Sequence, residues 1–113
     1  MSIFGWAAVV LIALGLLFNG SPEIAANTQP PAITEVKIDN FSFTPTTLTV
    51  TAGTTVTWTN RDDIPHTVVS TDGVFKSKAL DTDDKFSFVF SKPGTYSYFC
   101  SVHPKMTGQI IVQ

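Results

Sequence analysis

The chain has 113 residues, one domain at most, with a formal net charge of −2 and 14% charged side chains. That balance provides no basic stripe and argues against nucleic acid as a partner. The single cysteine, Cys100, excludes an internal disulfide, so in an exported chain its thiol needs another role, and metal ligation is one.

Export is argued by the N-terminus. Ile3 to Phe18 is an unbroken run of apolar residues and glycine, and no charged side chain precedes Glu23. The run falls between the length of a signal-peptide core and that of a bilayer span. Its start carries no Lys or Arg, and cleavage after Ala26 would leave Ile24 where a small residue is required; both features favour an uncleaved anchor. Residues 1–18 are therefore expected to be a signal peptide or an N-terminal membrane anchor, outside the domain fold in either case. Residues 19–32, with Pro22, Pro30 and Pro31 among small and polar residues, read as a linker. The folded domain is expected over 33–113.

Within it, strands alternate with turn signals and no helical period is visible. Thr34 to Asp39 and Leu48 to Thr51 read as strands. Ala52-Gly53 turns the chain into Thr54 to Asn60, where Val56 and Trp58 share one face and Thr55, Thr57 and Thr59 the other. His66 to Ser70 is expected as a short strand after the loop Asp62-Asp63-Ile64-Pro65. Thr71 to Asp84 is less regular and reads as a crossing between sheets, with room for a helical turn. Phe86, Phe88 and Phe90 then alternate with Ser87, Val89 and Ser91, a strand with one strongly buried face. Pro93-Gly94 leads into Thr95 to Cys100, and Gly108 to Val112 closes the chain. Seven to eight short strands without helices predict an all-β fold, a Greek-key β-sandwich.

The rare side chains fall on two segments of this pattern. Both histidines, the only cysteine and the only methionine after Met1 lie in Ile64-Pro65-His66-Thr67-Val68 and in Cys100-Ser101-Val102-His103-Pro104-Lys105-Met106. A thiolate, two imidazoles and a thioether form the ligand set of a blue-copper electron-transfer centre, His, Cys and His near one plane and Met weakly bound along the axis. Each residue alone has an ordinary role. A lone Cys is usually a small buried hydrophobe, Met106 alone core filler, His66 alone a hydrogen-bonded edge residue, and His103 alone a loop residue. Their joint occurrence as Cys-x2-His-x2-Met with an upstream Pro-His, on an exported β-chain, favours the metal site. Cys100 ends a strand and Met106 lies just before the last, which places Cys100, His103 and Met106 on one loop at one end of the sandwich.

Residues 33–113 resemble the cupredoxin family, and among its branches most closely the amicyanins, with plastocyanins and pseudoazurins as near relatives. The matching residues are Phe43-x-Pro45, Gly53, Val56-x-Trp58-x-Asn60, Pro65-His66, Tyr96-x-Tyr98-x-Cys100 and Cys100-x2-His103-Pro104-x-Met106-x-Gly108. The short gap between His103 and Met106 is that of the amicyanin branch. The resemblance implies one type 1 copper, with His66, Cys100 and His103 as equatorial ligands and Met106 as axial ligand. It places the Pro65 carbonyl near the metal on the side opposite Met106. Asn60 is expected to support the site from outside the ligand set. Many family members carry Asn directly after the first histidine, where it ties that strand to the cysteine loop. Here Thr67 takes the place, and its hydroxyl is expected to make one such hydrogen bond, a weaker tie.

A His103 imidazole edge is expected at the sandwich end, with Ile64, Pro65 and Pro104 as apolar surround and Lys105 beside it. Such a small surface suits brief docking to redox-protein donors and acceptors. Arg61, Asp62, Asp63 and Lys105 read as rim charges, each solvated in the ordinary case. The reading is thus a monomeric one-electron carrier, exported to the periplasm or the outer face of the cytoplasmic membrane, touching membrane only through an uncleaved N-terminal segment. A copper-buffering or copper-delivery protein is the alternative. Enzymatic readings fare worse. A copper oxidase needs more histidines or a second cysteine, a thiol catalyst has no need of His66 or Met106, and Met is a poor zinc ligand.

Overall fold

The computed structural model describes residues 33–113; the apolar segment over 1–18 and the linker over 19–32 lie outside the described residues. Eight strands follow in order: β1 (Glu35–Asp39), β2 (Ser42–Thr44), β3 (Thr47–Val50), β4 (Thr54–Asn60), β5 (Val69–Ser70), β6 (Lys85–Phe90), β7 (Gly94–Phe99) and β8 (Thr107–Val112). They form two four-stranded sheets, β2-β1-β4-β6 and β3-β8-β7-β5. β1 and β4 run parallel, as do β3 and β8, and the other neighbours are antiparallel. The all-β sandwich expected from the sequence is the fold, and no helix occurs among the described residues.

Alternation selects the inner faces. In β1, Val36 and Ile38 are buried while Glu35, Lys37 and Asp39 are exposed. In β4, Val56 and Trp58 point inward, and Trp58 sits opposite Val36 on one side and Phe86 on the other. Trp58 is the hub of the core, with ring centroids of Phe75, Phe86 and Tyr98 within 5.6 Å. Tyr98 meets Phe43 edge-on at 4.7 Å and joins the two sheets. In β6 only Phe90 is fully buried; Phe86 and Phe88 are half-buried at the margin of the core.

Three segments depart from the sequence expectation. β2 was not anticipated, because a strand of three residues with one apolar side chain, Phe43, is too short to display a period of two. The expected strand from His66 to Ser70 pairs with β7 only at Val69 and Ser70. Its earlier N–H groups go elsewhere: that of His66 to Leu80 C=O (3.1 Å), that of Thr67 toward Cys100 Sγ (3.4 Å) and that of Val68 to Ser77 Oγ (2.8 Å). The crossing from Thr71 to Asp84 contains no helical turn. It is held by isolated bridges, His66 to Leu80 and Val69 to Lys76, and by the buried side chains of Phe75 and Leu80.

This topology assembles the end of the sandwich where the rare residues lie. The chain leaves β4 in one sheet, crosses to β5 in the other, then returns to β6 beside β4. The first crossing carries His66. The hairpin of β7 and β8, in register with Phe99 opposite Thr107, carries the loop from Cys100 to Met106.

Candidate metal centre

The loop between β7 and β8 is built from backbone hydrogen bonds before any side chain is considered. Cys100 N–H donates to Met106 C=O (3.0 Å), extending the hairpin by one pair. Inside it, His103 N–H donates to Cys100 C=O (3.2 Å) and Met106 N–H to His103 C=O (2.8 Å), two successive tight turns. Three-residue spacing from Cys100 to His103 to Met106 is what such turns need, and it brings the Cys100 and His103 side chains to the same side. Met106 is buried at the closing end of the loop.

His66 is brought to the same place by a different route. Its backbone exchanges two hydrogen bonds with Leu80, N–H to C=O at 3.1 Å and C=O from N–H at 2.7 Å. Asn60, fully buried, donates from Nδ2 to the carbonyls of Ile64 (2.9 Å) and Leu80 (2.8 Å) and accepts from Asp62 N–H at Oδ1 (2.9 Å). One satisfied amide therefore shapes the loop before His66 and holds the crossing segment at Leu80 against it.

The result is a compact donor set. The ligand atoms of His66, Cys100 and His103 all lie within 4.8 Å of one another. Cys100 Sγ is 3.7 Å from His66 Nδ1 and 3.8 Å from His103 Nδ1. Metal bonds of about 2.0 Å to nitrogen and about 2.3 Å to sulfur, meeting at about 120°, set N and S about 3.7 Å apart. Both N···S separations are thus those of an imidazole and a thiolate sharing one metal, and the two imidazole nitrogens lie within 4.8 Å of each other. His66 and Cys100 are completely buried, and His103 is half-buried at the surface.

The electrostatics at Cys100 favour the thiolate, the form that binds a metal. Burial pushes the Cys100 thiol up, but hydrogen bonds from Thr67 N–H, the His66 and His103 rings and His103 N–H outweigh it and bring it down to about 6. His66 presents Nδ1 to the sulfur, while Nε2 lies 2.8 Å from Asp62 Oδ2. Asp62 is held below the usual carboxylate range: burial acts upward, but the N–H groups of Phe41 and Asn40 and the His66 ring outweigh it. An ionised carboxylate only accepts, so Nε2 carries a proton toward Asp62, and Nδ1 is the ring atom left facing the sulfur.

Two groups beside the donors differ from expectation. Thr67 Oγ1 accepts from Ser101 N–H (2.7 Å), lies 2.7 Å from Ser101 Oγ and approaches Cys100 Sγ at 3.8 Å. With the Thr67 N–H contact to sulfur, the tie between the two segments is multiple rather than single, because Ser101 supplies the second partner. Asp62, read from the sequence as a rim charge, is instead the partner of His66, and Arg61 pairs with Asp83 at 2.8 Å. A carboxylate a few residues before a ligand-type histidine was the available signal. Ile64 is half-buried, while Pro65, Pro104 and Lys105 are exposed at this end.

A β-sandwich with a buried Cys, two converging imidazoles and a Met closing the cysteine loop defines the blue-copper class. Comparison with known proteins agrees. A family model described as Cupredoxin-like domain matches residues 8–112. The chain is 36% identical to amicyanin-alpha of Methylorubrum extorquens, over 97% of this chain and 96% of that one. It is 37% identical to amicyanin of Paracoccus denitrificans, over 95% and 92% respectively. Among solved structures, a purple cupredoxin from Nitrosopumilus maritimus superposes with a TM-score of 0.67 at 36% identity, covering 72% of this chain and all of that one. The chain belongs to the cupredoxin family.

Proposed function

We propose that this protein is a one-electron carrier that holds a single type 1 copper through His66, Cys100, His103 and Met106. The observation that carries the proposal is the buried Cys100 sulfur standing 3.7 and 3.8 Å from two imidazole nitrogens, at the spacing of a trigonal site. Copper supplies the redox change, alternating between Cu(I) and Cu(II) within a soft thiolate and imidazole environment. The chain supplies rigidity. Backbone turns hold Cys100, His103 and Met106, and the bridge to Leu80 holds His66, so donor positions need not change with oxidation state. A carrier rather than an enzyme fits a chain whose relatives bear the names amicyanin and plastocyanin.

The exit for the electron is the His103 imidazole, the one donor among the three that reaches the surface. Ile64, Pro65 and Pro104, with Val102 exposed nearby and Lys105 at the rim, supply a small apolar surround. Such a patch suits transient docking of a redox donor or acceptor, where rapid release matters more than affinity. The apolar run from Ile3 to Phe18 supports export to the periplasm or the outer face of the cytoplasmic membrane, with residues 1–18 as signal or anchor and 19–32 as linker to a monomeric domain.

The test is direct. Residues 27–113 loaded with Cu(II) should be intensely coloured, bleach with ascorbate and recover on oxidation. Cys100→Ser should abolish the colour while leaving the fold intact. A colourless wild type, or an unchanged Cys100→Ser, refutes the proposal. Rapid electron exchange with slow copper loss to a chelator separates a carrier from a copper-delivery protein.

A further inference from the structure

The turn between β1 and β2 stands over the donors although no part of it belongs to them. Asn40 and Phe41 form a two-residue hairpin connection with both residues in the left-handed region, at φ 52° and 57°. Such turns select Asn-Gly, because a Cβ at the second position crowds the backbone. A bulky residue there bears strain, and strain of this kind collects where function demands it. Core packing does not explain the choice, since Phe41 is 51% exposed. What its ring touches does: it stands at 90° to both imidazoles, 5.7 Å from His66 and 5.1 Å from His103 between centroids.

The turn is fastened from a distant segment by one carboxylate. Asn40 N–H donates to Asp62 Oδ1 (2.7 Å) and Phe41 N–H to Oδ2 (3.0 Å). Oδ2 also receives His66 Nε2 (2.8 Å). Asp62 itself is fixed, its N–H donating to Asn60 Oδ1 and its C=O accepting from Thr82 Oγ1 (2.6 Å). One side chain therefore orients His66 directly and, through the turn, seats the ring that abuts both histidines.

We propose that Asp62 and Phe41 form a clamp that fixes the two imidazoles toward the metal. Asp62 sets the rotation and tautomer of His66. Phe41 fills the space into which His66 and His103 would otherwise turn, and the glycine that the turn prefers would leave that space open. Both are positioning residues. The clamp rests on the copper reading of the site, and it predicts coupling between two positions linked by the hydrogen bond from Phe41 N–H to Asp62 Oδ2.

The experiment compares wild type, Phe41→Gly, Asp62→Ala and the double variant in the full chain. Phe41→Gly suits the left-handed backbone and should melt, metal-free, no lower than wild type, yet lose copper to an excess of a copper(I) chelator about 10-fold faster. Asp62→Ala should lose it about 10–100-fold faster. The double variant should match Asp62→Ala, because the ring is already unseated. On metal-free protein, imidazole nitrogen NMR should place the His66 proton on Nε2 in wild type and on a mixture of nitrogens in Asp62→Ala, and Phe41→Gly should shift the ring protons of both histidines. Wild-type copper loss in Phe41→Gly, effects that multiply in the double variant, or an unchanged His66 tautomer in Asp62→Ala would overturn the clamp. A wild type that takes up no copper refutes the copper reading instead, and the metal-free NMR still decides whether the clamp exists.

Discussion

At Cys100 two opposing effects meet. Burial disfavours the thiolate, while N–H groups and imidazoles directed at the sulfur favour it, and the balance lies near 6, against 9.0 for an unperturbed thiol. The folded metal-free protein therefore holds a thiolate over a range in which the unfolded chain holds a thiol. The unfolded state binds more protons there, so stability rises with pH across that range. The contribution is fully present above about pH 9 and is lost as pH falls through about 6. The difference in thermal midpoint between metal-free wild type and Cys100→Ala should shift toward wild type across this window; subtraction removes the other titrating groups, and a flat difference would disprove the assignment. The same poise lets a metal bind at neutral pH with little proton displacement. The donors were legible in the sequence because Cys, His and Met declare their chemistry by type and spacing. Asp62 was not: its partners Asn40 and Phe41 are 22 and 21 positions away, and only folding brings them to it.

The β7–β8 hairpin shows how an element constrains its loop. Tyr98 faces Gly108 across the pair, two residues before Cys100 and two after Met106. The tyrosine is 1% exposed and packed between Trp58 and Phe43. A Cβ at Gly108 would lie 2.5 Å from Tyr98 Oη and 3.1 Å from Thr46 C=O, and the ring that would have to give way is packed against Trp58 and Phe43. Gly108 is thus required for close approach rather than for an unusual φ. Gly108→Ala should cost about 1–3 kcal/mol in denaturant unfolding, by overpacking. It should also disturb the copper spectrum, since the register it forces apart is the one that closes the ligand loop. An alanine variant of wild-type stability would show that the hairpin can open without penalty. Strands whose side chains alternate, such as β1 and β4, were legible from sequence. β2 was too short to announce itself, and the segment around His66 alternates like a strand while its N–H groups bond to Cys100 and Ser77.

On the scale of the whole domain, the question is whether the metal makes the fold or only occupies it. The aromatic residues Trp58, Phe75, Phe90 and Tyr98, with Val36, Ile38, Val56 and Ile110, form most of the core that binds the sheets together, and Cys100 and Met106 join it as buried side chains. The donors are held by backbone turns, the Leu80 bridge and the Asn60 amide, none of which involves a metal. The 3.7 and 3.8 Å separations of the Cys100 sulfur from the imidazole nitrogens already match those of ligands sharing one metal, so loading needs no large rearrangement around the sulfur. This is the opposite of a zinc finger, whose binding energy is its folding energy. Metal-free protein should therefore keep the native β-type circular dichroism spectrum and unfold cooperatively. Copper should then act by mass action alone: at 100 times its dissociation constant it adds about 2.7 kcal/mol, or about 10–20 °C in melting temperature for a domain of this size. Scanning calorimetry with and without copper measures both quantities on one sample. A metal-free chain with a disordered spectrum would show that the metal nucleates the sandwich, and the account of a preformed site would fail with it.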